Sequence, residues 1–162
     1  MLLRKRAWDL MREEFPTVSE DATLAEAIRV LRHEMKESPE NYIVVVKKKN
    51  GTIKGVVSIW DALKAVESSV LKDENLKMSE ETDWDQAFAR ASKICTQTAL
   101  NDDLLETDVP LLRPNDPLLI VLETLLAKHR SWAVVEEGGR VIGIVLAADV
   151  FRELSRDMVK AF

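Results

Sequence analysis

The stretch KGVVSIWDAL at residues 54–63 returns as IGIVLAADVF at residues 142–151. Gly55 matches Gly143 and Asp61 matches Asp149, while Ser58 becomes Leu146. An apolar run passing through glycine into a helix with an acidic first turn is thus written twice. The carboxylate is kept, and the hydroxyl beside it is not.

The repeat is wider than this motif. FPTVSEDATLAEAIRVL (15–31) aligns with VPLLRPNDPLLIVLETL (109–125), matching Pro16 with Pro110 and Leu24 with Leu118. YIVVVKKKNGTIKGVV (42–57) aligns with SWAVVEEGGRVIGIV (131–145) after one extra hairpin residue. A unit repeated in this way folds as one supersecondary element per copy, here strand, helix, strand, turn, strand, helix. Thr23 with Glu26 predicts a capping box, and Asp116 before Pro117 predicts an N-cap with proline at the first helical position. Leu24, Ala27, Ile28, Leu31 and Met35 recur at helical spacing, as do Leu118, Val121, Leu122 and Leu125. The runs YIVVV and WAVV are short, continuous and β-branched, which predicts strands covered on both faces. Asn50-Gly51 and Gly138-Gly139 predict the hairpins that follow. The closing helices start near Ser58 and Ala147 and carry Leu63, Val66 and Val70, or Val150, Leu154 and Met158.

Composition narrows the function classes. With 46% apolar and 31% charged residues, the chain has the balance of a globular protein. Its longest apolar runs fall well short of the ~20 residues of a transmembrane helix, and the N-terminus lacks the apolar core of a signal peptide. No membrane association and a cytoplasmic address are expected. One cysteine, Cys95, and two histidines, His33 and His129, exclude an internal disulfide and a His/Cys metal site. The net charge of −5 carries no basic block, and KKK at 47–49 reads as a solvated hairpin tip, so no nucleic-acid partner is expected. There is no P-loop, no nucleophile elbow and no metal set, which argues against an enzyme.

The two copies are joined by residues 67–107, long for a structureless connection. Trp84, Ala87, Phe88, Ala91, Ile94 and Cys95 form one helical stripe there, expected to pack on the module or on a partner. The expected division is a first repeat with its N-terminal segment at 1–71, an inserted linker at 72–107 and a second repeat at 108–162.

A duplicated β-α-β-β-α unit whose last strand runs through Gly-x-x-Ser/Thr-x-x-Asp into a helix resembles the cystathionine-β-synthase (CBS) domain. Gly55, Ser58 and Asp61 carry the likeness in copy one, and Gly143 and Asp149 in copy two. Two copies resemble a CBS pair, or Bateman module. The resemblance implies an α/β fold, two units packed about a pseudo-twofold axis, with inter-repeat clefts for adenine nucleotides or adenosyl compounds. It also implies a homodimer of modules, a regulatory role without chemistry or cofactor, and a protein target that the sequence does not identify.

An adenosine ligand makes three demands. Its ribose diol offers two donors that one carboxylate accepts, a role for Asp61 or Asp149. Its phosphates seek a helix N-terminus, a hydroxyl such as Ser58 and fixed cations. Its adenine seeks apolar walls. The family's pattern assigns Phe15, Thr17, Val18 and Ile43 to copy one, and Leu111, Leu112 and Trp132 to copy two. The cations are Lys128, His129 and Arg130; HRSWAVV is similar to the His-Arg before the matching strand in the AMP-activated kinase's regulatory subunit. Copy one has Glu40 and Asn41 in that place. Each residue has a plainer use: Asp at a helix start is favoured by the dipole, Ser58 is a fitting N-cap, and Arg130 can satisfy terminal carbonyls.

Two functions follow. In one, the chain is a stand-alone regulatory pair binding AMP, ADP, ATP or S-adenosylmethionine and signalling through a dimer. In the other it is a degenerate, ligand-free pair serving dimerisation or protein docking. Leu146 is expected to put an isobutyl group against the phosphate and so to weaken the second cleft.

Overall fold

The structure is a computed structural model, and it describes residues 4–70 and 84–160. It contains two three-stranded sheets of identical topology. In copy one, β1 (Thr17–Ser19), α2 (Leu24–Glu37), β2 (Ile43–Lys47), β3 (Ile53–Ser58) and α3 (Ile59–Val70) follow a short α1 (Ala7–Leu10). A helix in the connection, α4 (Trp84–Thr96), precedes copy two: β4 (Leu111–Leu112), α5 (Leu118–Lys128), β5 (Trp132–Glu137), β6 (Arg140–Leu146) and α6 (Ala147–Lys160). The strand orders are β1-β2-β3 and β4-β5-β6. In each sheet the first pairing is parallel and the hairpin is antiparallel. The two α/β units of strand, helix, strand, strand, helix that the repeat predicts are the ones observed, in the plan the resemblance implies.

Side chains on a strand alternate between faces, and here each face has its own core. Val44, Val46 and Val57 pack beneath the helices of copy one, while Ala133, Val135 and Val145 do so in copy two. The intervening residues, Ile43, Val45 and Val56 with Trp132, Val134, Ile144 and Leu146, meet in a third cluster between the sheets. That explains the uninterrupted apolar strands: neither face is left to water.

The two copies are also tied by exchange. Residues ahead of copy one pack on copy two, where Ala7 and Leu10 join its core and Arg12 bridges Ile144 (Arg12 N–H to Ile144 C=O 2.7 Å, the reverse bond 3.1 Å). Residues ahead of copy two pack on copy one, where Cys95, Leu100 and Leu105 join the core and Glu106 bridges Val56 (2.9 and 3.0 Å). The repeated glycines are placed by this crossing. A Cβ on Gly55 would lie 2.8 Å from the Glu106 carbonyl oxygen, and one on Gly143 would lie 2.7 Å from Met11 Sδ and 3.0 Å from the Arg12 carbonyl oxygen.

Some local expectations need correction. Thr23 is the N-cap of α2, but its side chain makes no capping bond. For α5 the N-cap is Pro117, because the Asp116 carboxylate accepts the Arg113 N–H (2.8 Å) in the preceding turn. In both copies the crossing segment supplies what the cap does not: Leu24 N–H donates to Thr98 C=O (2.9 Å), and Leu118 N–H to Lys5 C=O (3.1 Å). The stripe of α4 is buried only toward its end: Cys95 is in the core, while Trp84 and Phe88 are 45% and 53% exposed. The side chains of Val70, Ala91 and Ile94, and residues 72–83 of the expected linker, lie outside the described residues.

Candidate functional site

The register fixes which positions correspond. Ile43 pairs with Ser58 as Trp132 pairs with Leu146, so Glu40 and Asn41 stand where copy two has His129 and Arg130. The crossing bridges make Arg12 the counterpart of Glu106. Two clusters therefore form around Asp61 and Asp149, each with one residue from the crossing segment and one from the other copy.

At the Asp61 cluster, Ser58 and Asp61 complete a capping box at the start of α3. Asp61 Oδ2 accepts the Ser58 N–H (2.8 Å) and hydroxyl (2.9 Å), and Ser58 Oγ accepts the Asp61 N–H (3.3 Å). Both residues are buried. Among the described residues no hydrogen bond falls on Asp61 Oδ1. Glu106 comes close enough for the Asp61 charge to act on it; burial first, and then Asp61, pushes the Glu106 carboxyl above its ordinary range. Arg130 arrives from copy two, with Nε 3.2 Å from Glu106 Oε2. That ion pair lacks hydrogen-bond alignment, and both atoms are buried without a hydrogen-bond partner.

At the Asp149 cluster both oxygens of the aspartate accept from guanidinium groups. Arg12 Nε donates to Asp149 Oδ2 (2.8 Å) and Arg12 Nη2 to Oδ1 (3.1 Å), a bidentate grip. Arg12 Nη2 also reaches Glu40 Oε1 (2.9 Å), and Nη1 reaches Ser38 Oγ (3.0 Å). Arg152 Nη1 closes the ring onto Asp149 Oδ1 (2.9 Å) and Glu40 Oε1 (3.2 Å). Hydrogen bonding to its own backbone N–H, then Arg12 and Arg152, holds the Glu40 carboxyl at about 2. Asn41 is fully buried; its Oδ1 accepts the Ile43 N–H (3.2 Å), and its Nδ2 has no partner.

The remaining expected residues are scattered, for physical reasons. Leu146 is 1% exposed in the inter-sheet core and Trp132 lies beside it, as Ile43 does in copy one, so all three are packing residues. Leu112 is in the core of copy two, and Leu111 is half-exposed in a groove with Gly138 and Gly139 at the hairpin end, away from Asp149. Thr17 is exposed, and Val18 packs on the copy-one core. Phe15 needs regrouping: it shares a groove with Arg12 and Ser38 and lies under Lys47 Nζ (5.3 Å), because its segment has crossed toward Asp149. His129 is an exposed left-handed helix cap (φ 53°), its N–H bonded to the Leu125 and Leu126 carbonyls; with Arg130 N–H on Leu125 C=O (3.2 Å), it closes α5. Arg12 and Glu106 were not singled out from the sequence. The alignment that matches Pro16 with Pro110 also matches these two residues, and their opposite charges were the available signal. Among the described residues, no group of three His, Cys, Asp or Glu is arranged for a metal ion, and no helix is long and apolar enough to cross a membrane.

A family model, the CBS domain, matches residues 7–68 and again 102–156. The chain belongs to the CBS-domain family. Solved CBS pairs share the fold. A CBS-domain containing protein from Agrobacterium tumefaciens superposes with TM-score 0.66 at 20% identity, covering 94% of this chain and 95% of the other. CBSX2 in complex with AMP superposes with TM-score 0.64 at 22% identity, covering 93% and 97%. The cytosolic domain of the Mg2+ channel MgtE in complex with ATP gives 0.65 at 21%, covering 92% of this chain and 48% of that one. No curated protein matches the sequence.

Proposed function

We propose that this CBS pair is a regulatory module that binds an adenosine-containing ligand, AMP, ADP, ATP or S-adenosylmethionine, at the Asp61 cluster. The observation that carries the reading is the unspent bonding capacity there among the described residues: Asp61 Oδ1 without a hydrogen bond at a helix start, and Arg130 brought from the other repeat with an unaligned Nε. A ribose diol fits the free carboxylate oxygen, and an anionic group fits the guanidinium. Two proteins of this fold are known with AMP and with ATP. A thermal-shift panel of the four compounds tests it: a ligand at a hundred times its dissociation constant stabilises the fold by about 2.7 kcal/mol. No shift with any of them contradicts it.

Signalling is proposed to pass through a homodimer built on the helical faces. Leu119, Leu126 and Phe151 on α5 and α6, and Trp60 and Leu63 on α3, are exposed. Sedimentation at tens of micromolar that shows only an 18.4 kDa species removes the dimer. The competing reading, a ligand-free scaffold for dimerisation or for a protein target, draws on the same apolar faces and on the ion-paired Asp149.

A further inference from the structure

The asymmetry between the clusters is one of occupancy. A ribose diol needs lone pairs on a carboxylate, and both oxygens of Asp149 already accept from guanidinium groups. Arg12 holds them with the two-point geometry a diol would use, and its other donors are anchored on Ser38 and Glu40 of copy one. The position is not basic by structural necessity. Its counterpart in the other cluster, on the same bridge to the same strand position, is Glu106, which faces Asp61 with a like charge. The fold thus accepts either sign at this place, and only one sign fills the aspartate. Leu146 is not the obstacle, since it is buried between the sheets.

We propose that Arg12 is the chain's own occupant of the Asp149 site, an autoinhibitory contact that must release before a ligand hydroxyl reaches that carboxylate. This rests on reading the clusters as adenosine sites. It makes the wild-type chain a one-site protein whose second site is latent. The buried, unpartnered Asn41 Nδ2, at the position of Arg130, is a donor left over in the same half of the chain. Because Arg12 joins the N-terminal segment, copy one and copy two, its release also loosens three elements from each other.

Calorimetric titration with AMP reads the occupancy directly. The wild type is expected to take one equivalent per chain. Arg12→Met keeps the aliphatic stem and removes the donors; it is expected to gain a second equivalent, which Arg12→Met/Asp149→Ala loses again. The gain is on the order of a hundredfold or more in affinity at the second site, since several charge-assisted bonds no longer compete. If Arg12→Met does not fold, Arg12→Lys, a point charge unable to grip two oxygens, is expected to show the second equivalent at lower affinity. A folded variant that binds AMP with wild-type stoichiometry overturns the proposal while leaving the Asp61 reading intact. A wild type and variants that all bind no AMP overturn this proposal, and failure of ATP, ADP and S-adenosylmethionine as well overturns the ligand reading.

Discussion

The two ends of this CBS pair share one backbone plan and differ in where their charges are spent. At one end Ser58 and Asp61 bond to each other in a capping box, leaving one carboxylate oxygen and a misaligned Arg130–Glu106 pair. At the other end Leu146 cannot cap, Asp149 turns outward, and with Arg12, Glu40 and Arg152 it closes a ring of two positive and two negative charges. The lost hydroxyl therefore has a packing cause and an electrostatic consequence. Leucine fills the layer between the sheets beside Trp132, and the aspartate, relieved of capping, becomes an ion-pair partner. A repeated motif does not make a repeated site.

Restoring the motif is the strongest way to break this comparison. If Leu146 is a core residue, Leu146→Ser leaves a cavity and a buried hydroxyl, and should cost about 3 to 5 kcal/mol of stability in denaturant unfolding. The sequence alone favours the opposite expectation, that the serine would improve the second cleft. Unfolding within about 1 kcal/mol of wild type, with better nucleotide binding, would return Leu146 to the cleft wall.

Acid sharpens the comparison with a smaller effect. Glu40 is held at about 2, below its ordinary 4.5, so its contribution is fully present above about 4.5 and is lost as pH falls through 2. Glu106 is shifted the other way, so its ionised form opposes folding above its raised value and the penalty lifts as pH falls through it. Glu40→Gln should flatten the stability profile between pH 4.5 and 2. Glu106→Gln should raise stability near neutral pH and leave the acid limb in place. Identical profiles for the two variants would show that the clusters are not electrostatically distinct.

Much of the fold was legible because its signals are local: the duplicated register, the β-branched strands, the helical stripes and the turns at Gly51 and Gly139. The crossing of the segments at Arg12 and Glu106 was not. A residue in an irregular stretch such as LMREEF carries no periodicity, and which sheet edge it pairs with is decided by tertiary packing. The stripe of α4 is ambiguous for a related reason: apolar residues at helical spacing read alike whether covered within the chain, as at Cys95, or exposed on it, as at Trp84 and Phe88. The resemblance assigns Asp61 and Ser58 to copy one and Arg130 to copy two, and leaves open which cleft Arg130 faces. Tertiary packing decides the grouping, since Arg130 reaches Glu106 on the Asp61 side and Phe15 shares a groove with Arg12 on the Asp149 side.

The central claim is that the two aspartates are unequal because one keeps an open carboxylate oxygen and the other has both oxygens taken by guanidinium groups. Calorimetry with AMP on wild type, Asp61→Ala and Asp149→Ala measures this most directly. The account predicts that Asp61→Ala weakens binding by roughly ten- to a hundredfold, the cost of about 1.5 to 3 kcal/mol for a charged hydrogen-bond partner, while Asp149→Ala leaves the affinity of the occupied site within about threefold. Equal losses from the two substitutions would contradict it.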